Sequence, residues 1–210
     1  VSMNAILIRL GAIGIGYVFG CFLTACVVAR VDTGKSVREI GTGNPGMANI
    51  MDQLGFTAGL IVIFGDILKT VLSALLALVL FPELSRTAIL YAGLGAVLGH
   101  NYPFWRKFSG GKGVAVTCTA LILYAPFVGT ASDLIGMLVV FFTGFLGLGS
   151  IVITTAFLIA SFFCYGTESV ILALALEVLM ILKHYPSLVK IARGEEKIVL
   201  KLFGKKGKKS

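Results

Sequence analysis

The sequence predicts an all-α integral membrane protein of about seven short transmembrane helices, N-terminus out and C-terminus cytoplasmic, and three observations lead there. Hydrophobic residues make up 57% of the 210 positions and charged ones only 13%, with a mean hydropathy of +0.97, a balance beyond that of a water-soluble globule. The apolar residues fall in stretches long enough to cross a hydrocarbon core of about 30 Å at about 1.5 Å per helical residue. These stretches lack period-two alternation, which argues against a closed β-barrel, the other way to satisfy the backbone in lipid.

Residues 5–29 form the first expected span, with Arg9 snorkelling from its early turns. Nothing there resembles a cleaved signal, because Arg9 interrupts the first turns and the apolar stretch after it is longer than a signal core. Residues 55–81 form the second span and residues 87–100 a short third. From Val114 to Leu182 the chain is nearly unbroken; Pro126, Asp133, the 144–150 stretch and the 166–168 turn divide it into four short helices, with residues 130–133 expected as a turn. Five or six spans are the alternative counts. With an odd count, the 30–53 and 101–113 loops and everything from Lys183 onward share one face, and that face holds fifteen of the eighteen Lys and Arg residues. Basic loops stay cytoplasmic, which sets the orientation. Cys21, Cys26, Cys118 and Cys164 lie in apolar spans without metal or redox spacing and are expected as small core residues. The tail, with Lys205, Lys206, Lys208 and Lys209, suits an anionic inner leaflet or a solvated end.

Polar chemistry gathers in three segments on that face. The first, Gly41-Thr42-Gly43-Asn44-Pro45-Gly46-Met47-Ala48-Asn49, can present backbone N–H groups and amides to an anion, or be a plain tight loop. It matches GxGxxG, and Asp66 lies twenty residues beyond Gly46, but a dinucleotide fingerprint needs a preceding strand and a βαβ unit, and here membrane spans flank it. The second ends Gly110-Gly111-Lys112-Gly113 before the helix beginning at Val114, where free N–H donors, a helix dipole and an ammonium suit a phosphate. It is not a Walker A loop, since Gly113 stands where Ser or Thr would hold magnesium. An interfacial loop whose Lys reaches lipid phosphate is the alternative. The third places His184, Ser187, Lys190 and Arg193 at steps of three, along one side of a helix. Inside spans, Asp66 and Lys69 share a helical face and can neutralise each other, as a structural or a catalytic pair, and Glu177 and His184 share another.

Together these segments resemble the bacterial acyl-phosphate:glycerol-3-phosphate acyltransferase family, a small seven-span membrane enzyme, from the first span to about Glu196. The family's first motif, Gly-Ser-x-Asn-x-Gly-x-x-Asn, is matched by Gly41, Asn44, Gly46 and Asn49, with Thr42 keeping the serine's hydroxyl. The second is closest, with Gly99, His100, Pro103, Phe108, Gly110, Gly111, Lys112, Gly113, Val114 and Ala115 in place. The Asp66 and Lys69 pair also follows the family pattern. In the third, His-Arg-x-Asn-Ile-x-Arg-Leu becomes His184-Tyr185-Pro186-Ser187-Leu188-Val189-Lys190-Ile191, with His184, Gly194 and Glu196 retained. Asp52 stands where the family carries a phosphate-holding arginine, which turns a charge-assisted pair into like-charge repulsion.

The resemblance implies transfer of a fatty acyl group from acyl phosphate to glycerol 3-phosphate, giving lysophosphatidate and phosphate for membrane phospholipid synthesis. Lys112, His184 and Thr42 are the implied catalytic residues. Gly41, Gly43, Asn44, Gly46, Asn49, Asp66, Lys69, His100, Gly110, Gly111, Gly113, Ser187 and Lys190 are the implied substrate and phosphate contacts. Direct transfer is expected, with His100, His184 or the departing phosphate taking the proton. No metal, cofactor or nucleic acid is called for; the partners are the two substrates and membrane lipids, and the chain is expected as a monomer in the bacterial inner membrane, its active site facing the cytoplasm. Residues 1–196 form one transmembrane acyltransferase domain, and residues 197–210 a basic cytoplasmic tail. Three rivals stay open. A small-molecule transporter predicts internal repeats, and none is apparent. A divergent paralogue with another acceptor draws on Asp52, Tyr185 and Ser187, and a catalytically inactive relative is disfavoured by the intact second motif.

Overall fold

A computed structural model describes residues 2–196 and 198 of the chain. They form α-helices joined by short turns, with no strand among the described residues. The basic tail proposed for residues 197–210 lies outside the described residues, apart from Ile198.

The first apolar stretch is two helices, α1 (Met3–Gly20) and α2 (Thr24–Thr33), where one span was expected. Side chains from elsewhere take the carbonyls at the break: Lys69 Nζ donates to Phe22 O at 2.8 Å and Trp105 Nε1 to Cys21 O at 2.9 Å. Local apolarity cannot foresee donors that arrive from distant sequence. Gly34, at φ +70°, caps α2 in the left-handed region. A short α3 (Met47–Leu54) then turns at Gly55 into α4 (Phe56–Leu80).

The centre is α5 (Thr87–Asn101), buried at thirteen of its fifteen positions and flanked by α1, α4, α6 and α9. Its tightest partner is α1, because glycines repeat at a spacing of four on both helices: Gly16 and Gly20 face Gly95 and Gly99. A Cβ on Gly16 would lie 2.8 Å from Ala92 C, on Gly20 2.8 Å from Ala96 Cα, on Gly95 2.9 Å from Tyr17 N, and on Gly99 2.8 Å from Cys21 N. Backbone therefore packs on backbone, as small residues permit in lipid, where apolar side chains gain little by leaving the hydrocarbon.

The stretch after Val114 divides into four helices as expected, but with different boundaries. They are α6 (Val114–Tyr124), α7 (Pro126–Thr143), α8 (Leu146–Cys164) and α9 (Thr167–Ala192). Pro126 makes the first break, its ring preset for the opening of α7. The turn expected at residues 130–133 is instead helical, with Asp133 inside α7; Ser132 Oγ donates to Val128 O at 2.8 Å, so that polar group is satisfied within the helix. The 144–150 break shrinks to Gly144 (φ +74°) and Phe145, and residues 146–150 open α8. Helix α9 continues through Pro186, so Glu177 and the His184 segment lie on the same helix.

Among the described residues, five segments are long and apolar enough to cross a membrane: Met3–Thr33, Phe56–Leu80, Pro126–Thr143, Leu146–Cys164 and Thr167–Ala192. Helix α5, at fifteen residues, and α6, at eleven, are shorter. Arg9, expected to snorkel, pairs with Glu168 at 2.6 Å and donates to Tyr91 Oη at 3.0 Å, clipping α1 to α9 and α5. The four cysteines are free; Cys21 is buried, but Cys164 is exposed on the bundle surface and is not a core residue. Replacing Gly95 by Val should push α1 from α5 and cost about 1–3 kcal/mol. Thermal unfolding in detergent measures it; an unchanged transition would refute the close-packed seam.

Candidate active site

The three polar segments converge on one end of the bundle. Asn49, buried in α3, shapes the first. Its Nδ2 donates to Ile40 O at 3.0 Å and Asn44 O at 3.1 Å, and its Oδ1 accepts from Thr42 N at 2.8 Å. Gly41 and Gly43, at φ +54° and +72°, let the loop fold over that amide, and a side chain on Gly41 would collide with Asn49. Asn49 is thereby committed to holding the loop, while Asn44 and Gly46 line a cavity beside it. Thr42 is exposed, its Oγ1 accepting from Asn44 N at 3.4 Å.

The second segment returns onto the C-terminal end of α5. Gly110 N donates to Asn101 O at 3.0 Å and Gly111 N to His100 O at 2.9 Å, so these two N–H groups cap α5 and are not free for an anion. Both glycines are there for close approach: a Cβ on Gly110 would lie 2.6 Å from Pro103 Cδ, and one on Gly111 2.7 Å from His100 Cδ2. The donors that remain are those leading α6, where the N–H groups of Val114, Ala115 and Val116 have no helical acceptor. Gly113, at φ +77°, turns the chain into that helix.

Beneath the loop lies a buried network. Lys69 Nζ is 2.7 Å from Asp66 Oδ1 and 2.8 Å from His100 Nδ1, and His100 Nδ1 is 3.6 Å from Asp66 Oδ1. An ammonium can only donate, so His100 Nδ1 accepts and its proton sits on Nε2, against Gly111. Asp66 and His100 reach the cavity, whereas Lys69 is engaged with the α1–α2 break.

Helix α9 closes the other side. Lys112 Nζ donates to Ser187 Oγ at 3.0 Å. His184 is fully buried, with Nδ1 3.1 Å from Met180 O. A carbonyl only accepts, so Nδ1 carries the proton, and the Nε2 lone pair has no partner among the described residues. Lys190 and Arg193 are exposed, so the stripe of cations runs out of the site as it descends α9. Burial lowers the Lys112 pKa from the usual lysine range; Glu196 raises it and Lys190 lowers it further.

These groups frame a cavity of about 390 Å³. Asn44, Asp66, His100, Lys112 and His184 contribute to its lining, and the residues that α6, α7 and α8 add are largely apolar, among them Ile122, Met137, Val140 and Ile153. Of the residues expected at the site, Asn44, Gly46, Asp66, His100, Lys112, Gly113 and His184 line this cavity. Ser187 joins them through Lys112. Sequence reasoning missed the polar lining residues Cys118, Thr119, Asp133 and Ser150, and it missed Asn101 and Lys183, which stand behind the Gly113 turn without lining the cavity. Asn101 is fully buried with neither amide atom partnered among the described residues, and a Cβ on Gly113 would lie 2.7 Å from its Oδ1. Lys183 Nζ donates to Asn101 O at 3.0 Å and sits 4.4 Å from the Tyr102 ring centroid. For these two the available signal was polarity at the ends of apolar helices. Asp52 is exposed on α3, accepting from Gln53 Nε2 at 2.6 Å, and does not line the cavity.

A largely apolar cavity within a helical membrane bundle, with a helix N-terminus and a half-buried lysine at its polar lining, defines an integral membrane protein with a candidate binding site inside its bundle. Comparison with known proteins narrows that class. The profile of the glycerol-3-phosphate acyltransferase family matches residues 10–194. Glycerol-3-phosphate acyltransferase 1 of Lactobacillus johnsonii is 35% identical over 88% of this chain and 89% of its own. Glycerol-3-phosphate acyltransferase of Bacillus subtilis is 32% identical over 87% and 93%. The crystal structure of PlsY (YgiH), an integral membrane glycerol 3-phosphate acyltransferase, in its glycerol 3-phosphate form superposes with a TM-score of 0.83 at 28% identity, covering 94% of this chain and 99% of that one. The chain belongs to the glycerol-3-phosphate acyltransferase family, and is an acyltransferase.

Removing one partner of the buried pair leaves the other charge unpaired. Lys69→Met should therefore cost about 3–5 kcal/mol of stability. The double variant Asp66→Leu/Lys69→Met should lose less than the sum of the single variants, and strict additivity in thermal unfolding would show that the two groups do not interact.

Proposed function

We propose that the protein transfers a fatty acyl group from acyl phosphate to the 1-hydroxyl of glycerol 3-phosphate, releasing lysophosphatidate and phosphate for phospholipid synthesis. The observation that carries this reading is the continuity of the cradle at Lys112 with the apolar cavity beneath it: one end suits a phosphate and the other a hydrocarbon chain. Family membership and the superposition on a glycerol 3-phosphate form and a lysophosphatidic acid form of PlsY support it.

Lys112 and the leading N–H groups of α6 bind the acyl-phosphate oxygens and stabilise the charge that develops during attack. The glycerol hydroxyl oxygen attacks the carbonyl carbon, a new C–O ester bond forms, and the bond from the carbonyl carbon to the phosphate oxygen breaks, phosphate leaving with the electron pair. The hydroxyl proton passes to His184 Nε2, whose lone pair is free because Nδ1 is held by Met180 O. Thr42 and Asn44 orient substrate from the first loop, and Gly41, Gly43 and Asn49 keep that loop in shape. His100 supports Gly111 from below, Ser187 holds Lys112, and Lys190 draws the acceptor phosphate inward. The acyl chain enters from lipid, sparing about 0.8 kcal/mol of water exposure per methylene.

The bundle crosses a bacterial inner membrane seven times, counting α1 with α2 as one span and including the short α5 and α6. The motif end faces the cytoplasm and the N-terminus lies outside, in keeping with the basic residues of the loops. Residues 1–196 act as one domain and as a monomer, with residues 197–210 as a basic tail on the anionic leaflet.

Lys112→Ala should abolish lysophosphatidate formation by the purified protein, and near-normal turnover would rule out the assigned cradle. Activity should also fall on the alkaline side at a pH below that of an ordinary lysine, because burial favours the neutral amine and phosphate binding requires the ammonium. Lys112→Arg should move that limb upward; an unmoved limb in the pH profile assigns it to another group. His184→Ala should lower kcat by about 10²–10⁴ with a smaller change in KM, whereas a change confined to KM would make His184 a binding group only.

A further inference from the structure

The cavity lining also carries polar residues outside the three motif segments. Cys118 lies five positions beyond Gly113 along α6, about 7–8 Å at 1.5 Å per residue. At that level Asp133 of α7 joins the lining, with the Cys118 thiol beside it. A carboxyl within a membrane-crossing helix is costly enough to imply a partner or a site. Asp133 Oδ1 is buried and finds no hydrogen-bond partner among the described residues. The hydroxyls that line the same cavity are occupied as donors, Thr119 Oγ1 to Ala115 O and Ser150 Oγ to Leu146 O, both at 2.7 Å. A thiol is a weak donor and leaves the carboxyl's main accepting capacity unused.

We propose that Asp133 selects an acyl group bearing a hydroxyl part-way along its chain, with that hydroxyl donating to Oδ1. The inference rests on the acyl-transfer reading of the cavity. A chain of methylenes alone would press apolar groups against an unpaired carboxyl oxygen, whereas a hydroxyl at the right depth pairs with it. Sites built around a polar partner reject the analogue lacking that partner more strongly than apolar pockets reject an extra methylene. The depth of Asp133 excludes a hydroxyl next to the carbonyl and points to one several methylenes further on.

The test supplies the detergent-solubilised protein with glycerol 3-phosphate and either palmitoyl phosphate or a positional series of monohydroxylated palmitoyl phosphates, with products quantified by mass spectrometry. The wild type should favour one mid-chain isomer over palmitoyl phosphate by about tenfold or more in kcat/KM. Asp133→Leu should abolish that preference and Asp133→Asn retain part of it. Equal rates across the series, or a preference that survives Asp133→Leu, overturns the proposal while leaving acyl transfer intact. If no acyl phosphate is turned over, the acyl-transfer reading itself fails. Thermal stabilisation by free hydroxypalmitates against palmitate, compared between wild type and Asp133→Leu, then decides the role of Asp133: an Asp133-dependent preference upholds it, and none refutes it.

Discussion

Everything at the motif end rests on the contact between Lys69, Asp66 and His100. In a low-dielectric interior an ammonium and a carboxylate are tolerable only if they satisfy each other and the groups around them. Asp66 and His100 neutralise and accept from one side of Lys69, and the carbonyl of Phe22 takes its remaining reach. One side chain thereby breaks the first apolar stretch into α1 and α2 and also fixes the tautomer of the imidazole under the Gly111 turn. The break in turn leaves Cys21 O for Trp105, so the 101–113 loop is stapled to the same point. Burial, topology and loop position are thus coupled through a single buried cation.

The second constraint is distance between backbones. The α1–α5 seam and the Gly110-Gly111 turn both bring main chain closer than a Cβ allows, in the first case to pack helices and in the second to seat a loop on a helix end. This closeness changes the chemistry assigned to the glycines. Gly110 and Gly111 give their N–H groups to α5, so the anion-facing donors move one step along the chain to the N-terminus of α6, where the helix dipole also acts. A glycine run resembling a phosphate loop works here partly as packing.

Departures from the family pattern fall unevenly across the site. Asp52, the charge reversal, is exposed on α3 away from the cavity lining, while Ser187 receives the ammonium of Lys112 directly. Substituting a hydroxyl for an amide there keeps an acceptor within reach of the cradle's lysine. Tyr185, like Asp52, is exposed and does not line the cavity. The reshaped third motif therefore alters the rim more than the centre.

The sequence by itself determined the membrane class, the family, the four-helix division after Val114 and the gathering of polar chemistry at one face. These follow from composition, from Pro126 and the glycine turns, and from motifs whose residues are contiguous. It also predicted the Asp66 and Lys69 pair, since a spacing of three puts both on one helical face. Only the tertiary structure decided the α1–α2 break, the helical setting of Asp133, the capture of Arg9 by Glu168 and Tyr91, and the free Nε2 of His184. The physical reason is the same in each case. Local pattern states what a residue needs, a partner for a charge, a donor for a carbonyl, a neighbour for a carboxyl, whereas which atom meets that need is set by helices packed from distant parts of the chain.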